Sequence, residues 1–205
     1  MNTLIIVDVQ NDFLPGGALA VEKGDEIIPV VNRLQDSGYF DLIIATQDWH
    51  PKDHGSFASN HPGKKPFEKT NLSGLEQILW PDHCVQGTEG AEFSKLLNVK
   101  NIEAIFRKGM DKNIDSYSGF FDNGKLKNTG LAAYLKGRNV NEVFVAGLAG
   151  DFCVFFTSMD AIDTGFKTTL IEDATRSIDD TSFKRAVKEL KEKGGKVIKS
   201  SSILN

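Results

Sequence analysis

The stretch E-V-F-V-A-G-L-A-G-D-F-C-V, residues 142–154, decides the fold. It opens as a β-branched apolar run (142–146), turns through glycines, and passes into a helical pattern that starts near Asp151. A strand feeding directly into a helix is half of a β-α-β unit. The same alternation extends both ways. Residues 3–7, 41–46, 102–106, 167–171 and 196–199 read as further strands. Ile27, Val30, Val31 and Leu34 recur at helical spacing, as do Phe183, Ala186, Val187 and Leu190 before a terminating Gly194-Gly195. The strand runs are continuously apolar, as strands covered on both faces must be. The expectation is therefore an α/β protein, a three-layer α/β/α sandwich with a mostly parallel six-stranded sheet. Ligands in such open sheets bind beyond the carboxyl ends of the strands.

Composition narrows the function. The 205 residues carry 24 Lys+Arg against 28 Asp+Glu, a net charge of -4, so no basic surplus exists to grip a phosphate backbone. No nucleic-acid partner is expected. No stretch approaches the roughly 20 apolar residues of a membrane span, and the N-terminal M-N-T-L-I-I-V-D-V lacks a basic leader segment, so no membrane partner is expected and the cytoplasm is the expected location. With no repeat and no Pro/Gly/Ser linker, residues 1–205 read as one domain. Two cysteines are too few for a disulfide scaffold or a four-thiolate metal site. Self-association is not readable.

Unusual residues stand at four strand ends: Asp8 in D-V-Q-N-D-F (8–13), the D-W-H-P of 48–51, the R-K-G of 107–109, and G-L-A-G-D-F-C-V (147–154). Asp48 and His50 are two apart, so extended geometry projects them from one face, where they can share a metal ion. His83 in W-P-D-H-C-V-Q-G-T is the natural third ligand. All four histidines (His50, His54, His61 and His83) fall in the aperiodic segment 48–88, which is long enough inside a compact domain to be functional. His54 and His61 stand either as ligands or as solvated or supporting residues. Cys153 lies in the first turn of a helix, where unpaired amides favour a thiolate and can face a developing oxyanion; it can equally be a small buried hydrophobe. Cys84 has no such turn and reads as structural. Asp8 is either a cap or a proton carrier, and Lys108 either solvated or the positive charge beside Cys153.

Taken in order, D-V-Q-N-D-F, T-Q-D-W-H-P, W-P-D-H-C-V-Q-G-T, the lysine of R-K-G, D-S-Y-S-G-F (115–120) and G-L-A-G-D-F-C-V resemble the nicotinamidase branch of the isochorismatase-like cysteine hydrolases, over nearly the whole chain. The resemblance implies a Rossmann-like sheet and a catalytic triad of Asp8, Lys108 and Cys153. It implies a divalent metal on Asp48, His50 and His83, with zinc the first expectation and iron or manganese compatible with the same ligands. It implies a small-molecule substrate, nicotinamide, cleaved to nicotinate and ammonia through a Cys153 thioester in NAD salvage, with pyrazinamide as a second substrate. Amides of Ala149 and Cys153 would form the oxyanion hole after a cis Leu148-Ala149 bond, Phe13 and Trp80 would sandwich the ring, and Tyr117 would close the pocket. One departure stands out: relatives carry Thr-Asp-Tyr/His-Cys where this chain has Gly150-Asp151-Phe152-Cys153.

Overall fold

A computed structural model describes residues 1–204. Strands β1 (Asn2–Val7) and β2 (Leu42–Asp48) are followed by a short hairpin, β3 (Lys69–Leu72) and β4 (Leu75–Ile78). Then come β5 (Ala104–Lys108), β6 (Glu142–Gly147), β7 (Lys167–Thr175) and β8 (Lys196–Ile198). Helices α1 (Ile27–Asp36), α2 (Leu131–Gly137), α3 (Cys153–Asp163) and α4 (Asp180–Glu192) occupy the connections. The main sheet has six strands in the order β5-β2-β1-β6-β7-β8, and every pairing within it is parallel. All six expected strands are present. The helix expected near Asp151 begins at Cys153.

Alternate residues of each strand feed opposite layers, as the two-residue period requires. Leu4, Ile6, Ala45 and Ala146 pack with Ile27, Val31 and Leu34 of α1. Ile5, Val7, Ile44 and Val145 pack with Leu131 of α2, Val154 of α3 and Leu190 of α4. Burial on both faces explains why the strand sequences are continuous apolar runs rather than alternating ones.

The sheet order places β1 between β2 and β6, with α1 leaving to one face and α3 to the other. The direction of winding reverses between β1 and β6, and a crevice opens at the carboxyl ends of strands at such a point. Asp8 follows β1 there, and Cys153 opens α3 just after β6.

The segment 48–88 is less aperiodic than its composition suggests. It contains the antiparallel pair β3–β4, joined by Ser73 and Gly74, both at positive φ (52° and 86°), as a two-residue type I′ turn demands. No helix among the described residues is long and apolar enough to cross a membrane.

Candidate active site

Three adjacent strand ends deliver the central cluster. β2 runs two residues beyond its expected end, so Asp48 lies within the strand and pairs in register with Lys108 of β5. Lys108 is 2% exposed, and its Nζ lies 2.8 Å from Asp48 Oδ1, 2.9 Å from Asp8 Oδ2 and 3.4 Å from Cys153 Sγ. It also donates to the Ser116 carbonyl at 3.1 Å. The Lys108–Asp8 contact is an ion pair without hydrogen-bond alignment, which leaves Asp8 Oδ2 a free lone pair. Thr46 Oγ1 donates to the other oxygen, Oδ1, at 2.6 Å. Asp8 itself takes φ 49°, a left-handed conformation that Asp tolerates better than most residues.

Charge in this cluster is tightly constrained. Burial alone would drive the ammonium toward neutrality, but Asp48 and Asp8 outweigh it and hold the Lys108 pKa well above the ordinary lysine value. Burial also opposes ionisation of Asp48, yet Lys108 and then His50 win and keep its carboxyl well below the usual range. For Asp8, burial prevails over Lys108 and the pKa rises. Burial pushes the Cys153 thiol well up, against the pull of Lys108.

Next to this cluster, ligand atoms of Asp48, His50 and His83 all lie within 4.8 Å of one another. His50 Nε2 is 3.3 Å and His83 Nε2 3.6 Å from Asp48 Oδ2. Each imidazole turns its Nδ1 to a backbone carbonyl, His50 to Gly109 at 2.9 Å and His83 to Pro81 at 2.8 Å. A carbonyl can only accept, so both Nδ1 atoms carry hydrogen, and in the neutral ring the lone pair is on Nε2, the atom that faces the carboxylate. One oxygen and two imidazole nitrogens held this way suit a divalent ion, and carbonyl-anchored Nδ1–H groups are the usual support for such ligands. Gly109 makes the approach feasible: it has φ +69°, and a Cβ there would sit 2.3 Å from His50 Cε1.

Gln10 anchors the same strand end. Its side-chain amide donates to the Asp48 carbonyl and accepts from the Asp48 N–H, both at 2.8 Å. Asp12 Oδ2 accepts the Cys84 N–H at 2.7 Å and so ties the first loop to the residue after His83. Cys84 is fully buried among hydrophobic neighbours, as a structural thiol should be.

Above these groups a cleft of about 340 Å³, counted out to its mouth, is lined by Phe13, Trp80, Tyr117 and Ala149 as well as Asp48, His50, His83 and Cys153. Tyr117 Oη accepts from Gln77 Nε2 at 3.1 Å and Trp80 Nε1 at 3.3 Å. The Leu148-Ala149 peptide is cis, and among the described residues neither the Ala149 nor the Cys153 N–H donates to a backbone acceptor. Asp115, Phe152, Leu19 and Ile178 also line the cleft and escape sequence reasoning. Asp115 begins the D-S-Y-S-G-F motif but stands away from any strand end. A larger hollow of about 1150 Å³, counted out to its mouth in the same way, lies beside edge strand β5; it is lined by Arg107, Met110, Lys112 and Lys127, and reaches neither Cys153 nor the histidines.

The remaining histidines divide. His61 donates from Nε2 to the Gly55 carbonyl at 2.7 Å, away from the cluster. His54 is fully buried beside His50, and burial lowers its pKa to about 4. Gly150, where relatives carry Thr, faces the Phe183 ring and Thr175, which a Cβ would approach to 2.8 and 2.9 Å. In this chain Phe183 occupies the space a larger residue would need.

Residues 2–202 match the model of the isochorismatase domain. The chain belongs to the isochorismatase family. Within it the nicotinamidases are similar along the whole length. A nicotinamidase of Acinetobacter baylyi is 48% identical over 202 residues, covering 98% of this chain and 94% of that protein. The structure of an Acinetobacter baumanii nicotinamidase and pyrazinamidase superposes with a TM-score of 0.95 at 48% identity, covering 99% of this chain and 98% of the other. A pyrazinamidase of Pyrococcus horikoshii solved in complex with zinc superposes at 0.78 with 38% identity, covering 97% and 98%. This isochorismatase-family chain is accordingly an amide-hydrolysing enzyme of the nicotinamidase branch.

Proposed function

We propose that this enzyme hydrolyses nicotinamide to nicotinate and ammonia through a thioester on Cys153, and deamidates pyrazinamide as well. The observation that carries the reading is the contact of Lys108 with Asp8, Asp48 and Cys153 beneath a cleft that Cys153, Asp48, His50 and His83 line together. Nicotinamide is a flat ring with a carboxamide on one side and a ring nitrogen on the other, and the cleft offers both a nucleophile and a metal-ligand set to receive them.

The charge count supports Asp8 as the proton acceptor. One ammonium already faces two carboxylates, Asp8 and Asp48, so a thiolate formed by loss of a proton to solvent would add a third negative charge. Passing the thiol proton to Asp8 leaves the total unchanged. The Cys153 sulfur then attacks the carboxamide carbon, and the oxyanion is held by the Ala149 and Cys153 N–H groups. As the C–N bond breaks, Asp8 returns the proton to the leaving nitrogen and ammonia departs. Water, deprotonated by Asp8, attacks the thioester carbon. The C–S bond breaks, the proton on Asp8 restores the thiol, and the acid leaves as nicotinate with its remaining proton passing to solvent. Phe13 and Trp80 confine the ring, and Tyr117 and Phe152 close the wall beside it.

Asp48, His50 and His83 would hold one divalent ion, zinc first among those that suit the ligands. When bound, the ion supplies Lewis acidity that orients a ring nitrogen and a water. The nicotinate produced is a pyridine carboxylate of the kind used in NAD salvage.

Ammonia release by the purified protein, compared across nicotinamide, pyrazinamide, ureidoacrylate and N-carbamoylsarcosine, tests the proposal. Turnover of the two ring amides is expected. Turnover of either open-chain compound without nicotinamide would overturn it.

A further inference from the structure

The hydrogen-bond partners of the buried histidines separate their roles. Ser56 N–H points at His54 Nδ1 across 3.1 Å, and Ser56 Oγ lies 2.7 Å from the same atom. A backbone N–H can only donate, so His54 Nδ1 must present a lone pair and the neutral ring carries its hydrogen on Nε2. This is the opposite tautomer to His50 and His83, whose Nδ1 atoms face carbonyls. A nitrogen that bears hydrogen cannot also coordinate a metal.

His54 Nε2 is buried and has no protein partner. Leaving such a donor unpaired costs about 1–3 kcal/mol, so a partner from outside the chain is called for. The neighbours of the His54 ring include His50, whose ring centroid is 4.4 Å from that of His54, and Asp115. Ligand atoms of His50, His54 and Asp115 lie within 4.8 Å of one another. Two hydrogen bonds of roughly 2.8 Å through one water span such a separation. Asp115 completes the set. Its carboxylate is 3% exposed and accepts from Ser116 N–H at 2.8 Å and Gln77 Nε2 at 3.0 Å, which leaves lone pairs on both oxygens. His54 thus offers a donor and Asp115 an acceptor.

We infer that His54 is an Nε2–H donor rather than a fourth metal ligand, and that His54 and Asp115 together hold a water molecule beside the metal-binding face of His50. The water accepts from His54 and donates to Asp115, keeping one lone pair and one O–H for other partners in the cleft. His54 and Asp115 are positioning residues in this arrangement. The inference deepens the proposed metal site and rests on it for the role of the water, whereas the tautomer stands on the protein's own hydrogen bonds.

Long-range proton–nitrogen NMR of the four histidines in the wild-type protein, metal-free and with one equivalent of zinc, reads both parts. Without zinc, His54 is expected as the Nε2–H form and His50 and His83 as Nδ1–H forms. On adding zinc, the Nε2 resonances of His50 and His83 shift and that of His54 keeps its proton. An Nδ1–H form of His54, or a zinc shift at its Nε2, would overturn the inference. Zinc titration of variants gives an independent reading. His54→Ala and Asp115→Asn should each weaken zinc affinity by about tenfold, the scale of a lost supporting contact, and keep one zinc per chain; His83→Ala should lose the zinc. Loss of zinc from folded His54→Ala as complete as from His83→Ala would refute the assignment. If wild-type protein takes up no zinc, iron or manganese at all, the metal reading fails and the water role with it, while the tautomer measurement still reports separately.

Discussion

Lys108 is charged at the centre of a buried cluster because two carboxylates face it, and Cys153 touches the same ammonium. Removing the sulfur should therefore remove the reaction rather than slow it. Cys153→Ala is expected to reduce kcat on nicotinamide by more than about a thousandfold with the fold retained, as loss of a covalent nucleophile does. Asp8 must be ionised to accept the thiol proton, and burial, opposed by Lys108, raises its pKa. Activity therefore falls on acidification through a pH above the ordinary aspartate pKa, and a kcat/KM profile with its acid limb at or below that pKa would contradict the role. Gly109 gives a third expectation. Gly109→Ala puts a methyl group against His50 at a positive φ, so a stability loss of about 1–3 kcal/mol and reduced zinc occupancy should appear together in thermal melts and elemental analysis.

At the scale of elements, the central strands β1, β2 and β6 were legible because burial on both faces writes itself as nearly uninterrupted apolar runs, whereas the edge strands β5 and β8 are half-exposed and were legible from their β-branched and aromatic residues. The β3–β4 hairpin was not, since K-T-N-L and L-E-Q-I lie at the surface and only Gln77 among them is buried. Its sole local sign is the Ser73-Gly74 pair. The proximity of Asp48 and His50 could be read from their spacing at a strand end. Asp115 could not, because its place in the cleft depends on a loop returning from β5. Phe183 likewise explains Gly150 only after α4 has packed. Helix α4 starts at a cap that can be tested alone: Asp179 Oδ1 accepts the Ser182 N–H at 2.7 Å, and this bond holds the Asp179 pKa below its ordinary value. A depressed folded-state pKa means that the cap contributes fully above the unfolded pKa near 3.8 and is lost as pH falls through the folded value. Asp179→Ala should lower Tm by about 2–4 °C at neutral pH, with the difference from wild type vanishing in strong acid.

For the whole molecule, the proposed ion joins β2 to the loop that carries His83, so its removal should be felt globally. Binding to the native state alone adds about 2.7 kcal/mol when free metal is a hundred times Kd. A chelator should then lower the Tm of wild-type protein by about 5–10 °C and leave that of His83→Ala unmoved. The order of the sheet has a further bearing, on how the molecule is made. β1 pairs with β2 on one side and β6 on the other, so Asp8 and Cys153 meet only when residues from opposite ends of the chain are brought together. Such distant pairings form late and slowly, because the intervening chain must be closed before any contact is gained. During synthesis β1 emerges first and can pair with β2, but its second edge stays open until β6 leaves the ribosome. For most of its assembly the nascent chain thus carries a bare hydrophobic strand edge at the place where its chemistry will later stand, and a helper that shields strand edges would act there first.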